Sequence, residues 1–202
     1  MSRFFRGFAW VASKVLWSIK YHGKENIPLK DAFPYIIASN HQAYFDPAWV
    51  GAPIRQKMNF MAWGEVFEWK FVGPLIRLLG AFPVWLGGAK ALASVKRALK
   101  VLRDGGVLVI FPEGERAFGD GKMLEYKEGV AGIAIRAQVP ILPVTIKGGN
   151  RVWPQGRKWP HFFSPVEITY HPLIYPPTSA DNDADAKLTG KLRDVIGSAL
   201  DD

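Results

Sequence analysis

An unbroken apolar run, Val107-Leu108-Val109-Ile110-Phe111, lies between Gly105-Gly106 and Pro112. So short a run, with turn residues on both sides, is satisfied as a strand whose two faces are both covered, as in a parallel sheet between layers of helix. Tyr35-Ile36-Ile37-Ala38-Ser39 reads the same way. Around these runs the spacing predicts further strands at 80–85, 139–146 and 166–170, and helices from Pro47 and over 89–103, 127–137 and 187–200. Strands alternating with helices at these intervals specify an α/β fold with a mostly parallel sheet flanked by helices. Pro140 and Pro143, at the entry and middle of the 139–146 run, point to a strand near a sheet edge. With 49% hydrophobic and 22% charged residues in 202, the composition fits a single domain with a sizeable core.

Each of the two apolar runs ends in a polar island, where α/β folds place their chemistry. The first is Asn40-His41-Gln42-Ala43-Tyr44-Phe45-Asp46-Pro47, the second Phe111-Pro112-Glu113-Gly114-Glu115-Arg116. Asp46 before Pro47 is a good helix N-cap, with Pro47 at the first helical position. Five helical steps would set His41 and Asp46 about 140° apart, whereas a strand-to-helix turn can curl the carboxylate onto one imidazole nitrogen. That arrangement makes an oriented general base; the plainer reading has Asp46 as a cap only and His41 as a loop histidine. The second island admits two readings as well, a ligand-facing turn at Gly114 or a solvated Glu-Arg loop. The chain has no cysteine, which rules out disulfides, cysteine-ligated zinc and a cysteine nucleophile.

The net charge is +8, and residues 180–202 carry six Asp against Lys187, Lys191 and Arg193, leaving +11 on the rest. A charge of that size attracts phosphates, of nucleic acid or of an anionic membrane and its lipids. Eight Trp, thirteen Phe and six Tyr accompany it. Aromatics beside Lys and Arg suit a membrane interface, and no RRM, KH or helix-turn-helix signature is present, so nucleic acid is not expected as a partner. Met58, Phe60, Met61, Trp63, Phe67 and Trp69 could pack in the core or line a pocket for an acyl chain. Arg151-Val152-Trp153-Pro154-Gln155-Gly156-Arg157-Lys158-Trp159-Pro160 is a basic, aromatic, proline-broken loop.

Wound as a helix, Met1, Phe4, Phe5, Phe8, Val11, Ala12, Val15 and Ile19 fall within an arc of roughly 120°. Arg3, Arg6 and Lys14 interrupt the stretch short of the ~18 apolar residues a bilayer span needs, and no signal-peptide cleavage pattern follows. The expectation is an amphipathic helix over 1–22, lying on a membrane surface or on the protein's own core, ahead of a domain over 23–202. Trp10 and Trp17, off the apolar arc, favour the membrane.

Four blocks in order resemble the lysophosphatidic acid acyltransferase-like superfamily of glycerolipid acyltransferases. They are the His-x-x-x-x-Asp block at His41 and Asp46, Gly80-Ala81-Phe82-Pro83-Val84, Phe111-Pro112-Glu113-Gly114 through Arg116, and Val139-Pro140-Ile141-Leu142-Pro143-Val144. The resemblance implies a glycerol-3-phosphate acyltransferase-like fold and transfer of a fatty acyl group from acyl-coenzyme A or acyl-acyl-carrier protein to the hydroxyl of a lyso-lipid, in phospholipid synthesis or remodelling. It also implies His41 as general base oriented by Asp46, with Glu113, Gly114, Arg116, Phe111 and Pro112 at the acceptor. No metal or bound cofactor is implied, the thioester being a co-substrate. A membrane-peripheral protein on the cytoplasmic face follows from the soluble donor and the N-terminal helix.

Two departures bear on the acceptor. The family's second block usually continues Val-Asp-Arg where this chain has Val84-Trp85-Leu86, and its third usually reads Glu-Gly-Thr-Arg-Ser where Glu115 and Ala117 stand here. A lost cation and an added carboxylate lead to the expectation of a zwitterionic, amine-bearing or non-phosphorylated acceptor rather than lysophosphatidic acid. Two other activities stand beside transfer. One is acyl-thioester hydrolysis by the same base. The other is a non-catalytic lipid-binding module, which would need neither His41 nor Asp46.

Overall fold

The computed structural model describes residues 16–29, 32–85, 87–117, 119–154, 156–179 and 182–200. Its strands are β1 (Ile19–His22), β2 (Tyr35–Ser39), β3 (Met58–Trp63), β4 (Ala81–Val84), β5 (Val107–Ile110), β6 (Ile141–Lys147) and β7 (Val166–Tyr170). The helices are α1 (Asp46–Gly51), α2 (Val72–Leu78), α3 (Gly88–Arg103), α4 (Gly129–Ala137) and α5 (Ala184–Gly197). The strands form one seven-stranded sheet in the order β1-β7-β6-β2-β5-β3-β4, in which only the β6–β7 pair is antiparallel.

β2 and β5 are buried along their whole length, as their unbroken apolar sequences require. Successive residues of each feed opposite cores. Tyr35, Ile37, Val107 and Val109 pack with Trp49 and Val50 of α1 and with Phe67. Ile36, Ala38, Leu108 and Ile110 pack with Ala98 and Leu102 of α3, Val130 and Ile133 of α4, and Leu188, Leu192 and Ile196 of α5. A fully buried side chain of this size is worth about 1.5–3 kcal/mol, so the central pair of strands is anchored from both faces and is a firm base for whatever follows it in sequence.

β6 is not near an edge, contrary to the expectation from its prolines, because it lies between β2 and β7. The register explains how Pro143 is tolerated. The antiparallel ladder with β7 runs from Val144↔Tyr170, so Pro143 falls opposite His171 at its end, where the Pro143 carbonyl accepts the His171 N–H and only one ladder donor is missing.

The amphipathic helix expected over 1–22 lies mostly on residues 1–15, outside the described ones, and its last residues are not helical. Ile19–His22 is an edge strand paired in parallel with β7, with Ile19 buried, Tyr21 partly buried and Lys20 and His22 exposed. Period-two alternation and a ladder on β7 prevail there over a helical arc that used Ile19 alone. The α/β domain therefore begins by Ile19 rather than at residue 23. Among the residues weighed for an acyl pocket, Met58, Phe60 and Phe67 are core, while Trp63 and Trp69 are about half exposed.

Candidate active site

Asn40 and the residues after it leave the carboxyl end of β2 between the ends of β5 and β6. Asn40 extends the sheet with its side chain: its amide donates to the Ile146 carbonyl at 2.8 Å and its oxygen accepts the Ile146 N–H at 2.7 Å. Gln42 does likewise for the loops, donating to the Gly121 carbonyl and accepting the Gly149 N–H. Both side chains are buried, so they fix the backbone on either side of His41. Site reasoning from sequence passed over them; the available signal was two amides flanking a histidine directly after a buried strand.

His41 Nδ1 lies 2.8 Å from Asp46 Oδ2. The same carboxylate oxygen accepts the backbone N–H groups of Gln42 at 2.6 Å and Ala43 at 2.8 Å. Asp46 is therefore not the helix cap expected from its sequence. It is the first residue of α1 after Phe45 and makes no cap hydrogen bond; its carboxylate instead folds back to close the turn that carries His41. A fully buried aspartate with three donors on one oxygen is held as an acceptor, which places the imidazole proton on Nδ1 and leaves Nε2 as the basic nitrogen. The Phe111 ring stacks on the imidazole at 4.1 Å between centroids, and the His41 side chain keeps 16% of its surface exposed.

The second island meets the first across 72 residues of chain: Glu113 Oε1 accepts the His41 backbone N–H at 2.8 Å. Its other oxygen accepts the Leu124 N–H at 2.9 Å, and the side chain is buried. Burial pushes the Glu113 carboxyl above its ordinary range, against the opposing pull of those two N–H groups. Each oxygen thus accepts one backbone N–H, and Glu113 ties the His41 backbone to the second island and to Leu124. Pro112 is likewise buried, its carbonyl accepting the Lys127 N–H.

Gly114 adopts a φ of 76°, and a Cβ there would come within 2.7 Å of Lys127 Nζ. The turn thus brings Lys127 beside the site. Arg116 lies with its guanidinium carbon 3.7 Å from the Tyr44 ring centroid, so it is carried back to the first island and sits within one loop of His41. Two further lysines lie elsewhere: Lys57 precedes the amino end of β3, at the opposite end of the parallel strands from His41, and Lys122 pairs with Asp120 at 3.0 Å. At the end of β4 a different cation stands: Lys90 Nζ lies 4.7 Å from the centroid of the Trp85 ring. That ring packs so closely on Gly64 that a Cβ there would fall 2.2 Å from it. Among the described residues, no group of three or more His, Asp or Glu is placed to hold a metal ion.

A family model described as Acyltransferase matches residues 18–147. The chain is 27% identical over 154 residues to a chloroplastic 1-acyl-sn-glycerol-3-phosphate acyltransferase of Brassica napus, the match covering 76% of this chain and 44% of that protein. It is 36% identical over 140 residues to the 1-acyl-sn-glycerol-3-phosphate acyltransferase of Streptococcus pneumoniae, covering 66% and 50%. The crystal structure of the 1-acyl-sn-glycerophosphate acyltransferase of Thermotoga maritima superposes with a TM-score of 0.80 at 26% identity, over 98% of this chain and 78% of that one. This chain spans less than half the length of the plant relative and half that of the streptococcal one.

Proposed function

This chain belongs to the acyltransferase family, and from that premise we propose that it moves a fatty acyl group from acyl-coenzyme A or acyl-acyl-carrier protein to the hydroxyl of a lyso-glycerolipid. The observation that carries the proposal is the 2.8 Å contact between His41 Nδ1 and a buried Asp46 at the carboxyl end of the central strand. The acceptor hydroxyl gives its proton to His41 Nε2 as its oxygen attacks the thioester carbonyl. The tetrahedral intermediate then collapses, expelling the thiol, which leaves with the proton from the imidazolium. The acyl oxygen ester and the free thiol balance the reaction, and Asp46 holds the tautomer and stabilises the imidazolium throughout.

The acceptor we assign is 1-acylglycerol 3-phosphate. The relatives share that substrate in their names, which weighs against the expectation of a different acceptor drawn from Trp85 and Glu115. Lys90 over Trp85 and Lys127 beside Gly114 supply cations close to the two positions where the sequence departs, and Glu115 is exposed. Its hydrophobic substrates favour work at a membrane surface, as a peripheral protein on the cytoplasmic face where thioester donors are soluble. Among the described residues no helix is long and apolar enough to cross a membrane.

Release of free thiol from palmitoyl-coenzyme A, with and without a panel of lyso-lipids, tests the assignment. Release that needs 1-acylglycerol 3-phosphate is the expected result. Release without any acceptor would make the chain a thioesterase, and preference for a zwitterionic or uncharged acceptor would restore the alternative read from Glu115.

A further inference from the structure

Between Lys147 and Glu167 the chain carries Arg151, Arg157 and Lys158 and no acidic residue. β6 ends and β7 begins at the end of the sheet that holds His41, so the 149–165 loop joining them lies at that end, outside the family match over 18–147. It presents Trp159, Phe162 and Phe163 at 71%, 50% and 72% exposure.

The loop is tied down where it meets the body. Trp17 Nε1 donates to the His161 carbonyl, the Phe163 N–H to the Leu16 carbonyl, and the His161 N–H to the Val152 carbonyl. Trp153 Nε1 donates to the Arg157 carbonyl, and Arg157 contacts the His161 ring. Phe163 is held at a φ of 63°, a left-handed conformation that a bulky residue adopts only where its surroundings enforce it. Beside the exposed rings a chain of aromatic contacts leads from the loop to the first island, from Phe162 to Trp17, Trp17 to Phe45, Phe45 to Trp153, and Trp153 to Tyr44. Phe45 and Tyr44 belong to the island that contains His41.

We propose that the 149–165 loop is the surface by which this protein rests on an anionic bilayer, with Trp159 and Phe163 at the headgroup level and Arg151, Arg157 and Lys158 against lipid phosphates. The occupant follows from charge complementarity, since three cations in a segment with no acidic residue of its own suit an anionic lipid surface. Exposed aromatics interleaved with them suit its interface. The loop shares its end of the sheet with His41, so a lipid acceptor reaches the base from the membrane plane. The biological sense of this surface rests on the lipid acceptor proposed above, but its existence does not, and the two are tested separately.

The absence of cysteine allows a single Phe163→Cys to be labelled in the full chain with an environment-sensitive fluorophore. On adding vesicles of phosphatidylcholine with phosphatidylglycerol, we expect a blue shift and a rise in emission, both weaker with phosphatidylcholine alone. In parallel, Trp159→Ser/Phe163→Gly/Lys158→Ser should lower the rate about tenfold or more when the acceptor is embedded in those vesicles and leave it unchanged with a short-chain, monomerically soluble acceptor. Glycine suits the Phe163 conformation, so the triple variant keeps the backbone. Removing one cation near an anionic surface lowers partitioning about fivefold, and the two lost rings add to that. A label unmoved by anionic vesicles, or equal rates for both proteins on vesicles, would overturn the proposal. So would a blue shift that grows with protein concentration in the absence of lipid, which would make the loop a contact between copies. If neither protein transfers acyl groups at all, the proposed activity fails while the label still decides the docking surface.

Discussion

Asp46 Oδ2 serves three donors at once, and this couples the tautomer of His41 to the shape of the turn that carries it. Asp46→Asn can still accept from the backbone while losing the charge that stabilises the imidazolium. It should lower the rate about 10²- to 10⁴-fold with little change in melting temperature, whereas Asp46→Ala should cost stability as well. Comparing rate and thermal melt for the two variants checks this separation. Glu113 is the reverse case, a carboxylate whose two oxygens are engaged by backbone N–H groups of different loops. Glu113→Ala should destabilise by about 1–3 kcal/mol for each N–H left unpaired, read by denaturant unfolding. It should also slow turnover through a displaced His41 while KM for the acceptor changes little. The His41–Asp46 pair was legible because both residues lie in one tight turn after an obvious strand. The Glu113 contact was not, because it depends on β2 and β5 becoming neighbours across 72 residues.

β6 shows what an element-level reading captures and what it misses. Its apolar run predicts a strand correctly, but its place in the sheet rests on where Pro143 falls relative to the end of the β7 ladder, which no local pattern encodes. Side chains complete the element on both flanks. Asn40→Ala should leave the Ile146 N–H and carbonyl without partners and cost about 1–3 kcal/mol for each, which urea unfolding would register. On the other flank Thr145 donates to the Ile196 carbonyl at 2.6 Å, so its oxygen accepts from His171 Nε2–H at 2.8 Å. Burial lowers the His171 pKa below its ordinary 6.5. The unfolded chain therefore takes the proton first, and the stability tied to neutral His171 is present above about pH 6.5 and lost as the pH falls toward the depressed value. In His171→Gln the loss of melting temperature between about pH 7 and pH 5 should be shallower than in the wild type; an equal slope would show that His171 does not contribute. The N-terminal expectation failed at Ile19–His22 for a similar reason, since pairing with β7 exists only once the sheet is assembled.

At the scale of the whole molecule, the sheet gathers His41, the Glu113 turn and the 149–165 loop at one end of its strands, and that convergence, rather than any single motif, turns two polar islands into a site. Alternating strands and helices and the two buried apolar runs made the fold class legible from sequence. The order β1-β7-β6-β2-β5-β3-β4 was not, because it follows from crossovers whose direction is settled by packing on two faces at once. A net charge of +8 implies an electrostatic share in any association with anionic vesicles. Binding should weaken as salt shortens the screening length to about 10 Å at 0.1 M and below it at higher salt, and sedimentation with vesicles across a salt series would show it. In the mechanism proposed above, His41, oriented by Asp46, is the base for acyl transfer. The most direct test is free-thiol release from palmitoyl-coenzyme A in the presence of 1-acylglycerol 3-phosphate, comparing wild type with a folded His41→Ala protein. Loss of release by about 10²- to 10⁴-fold is the result predicted here, and release at the wild-type rate would contradict it.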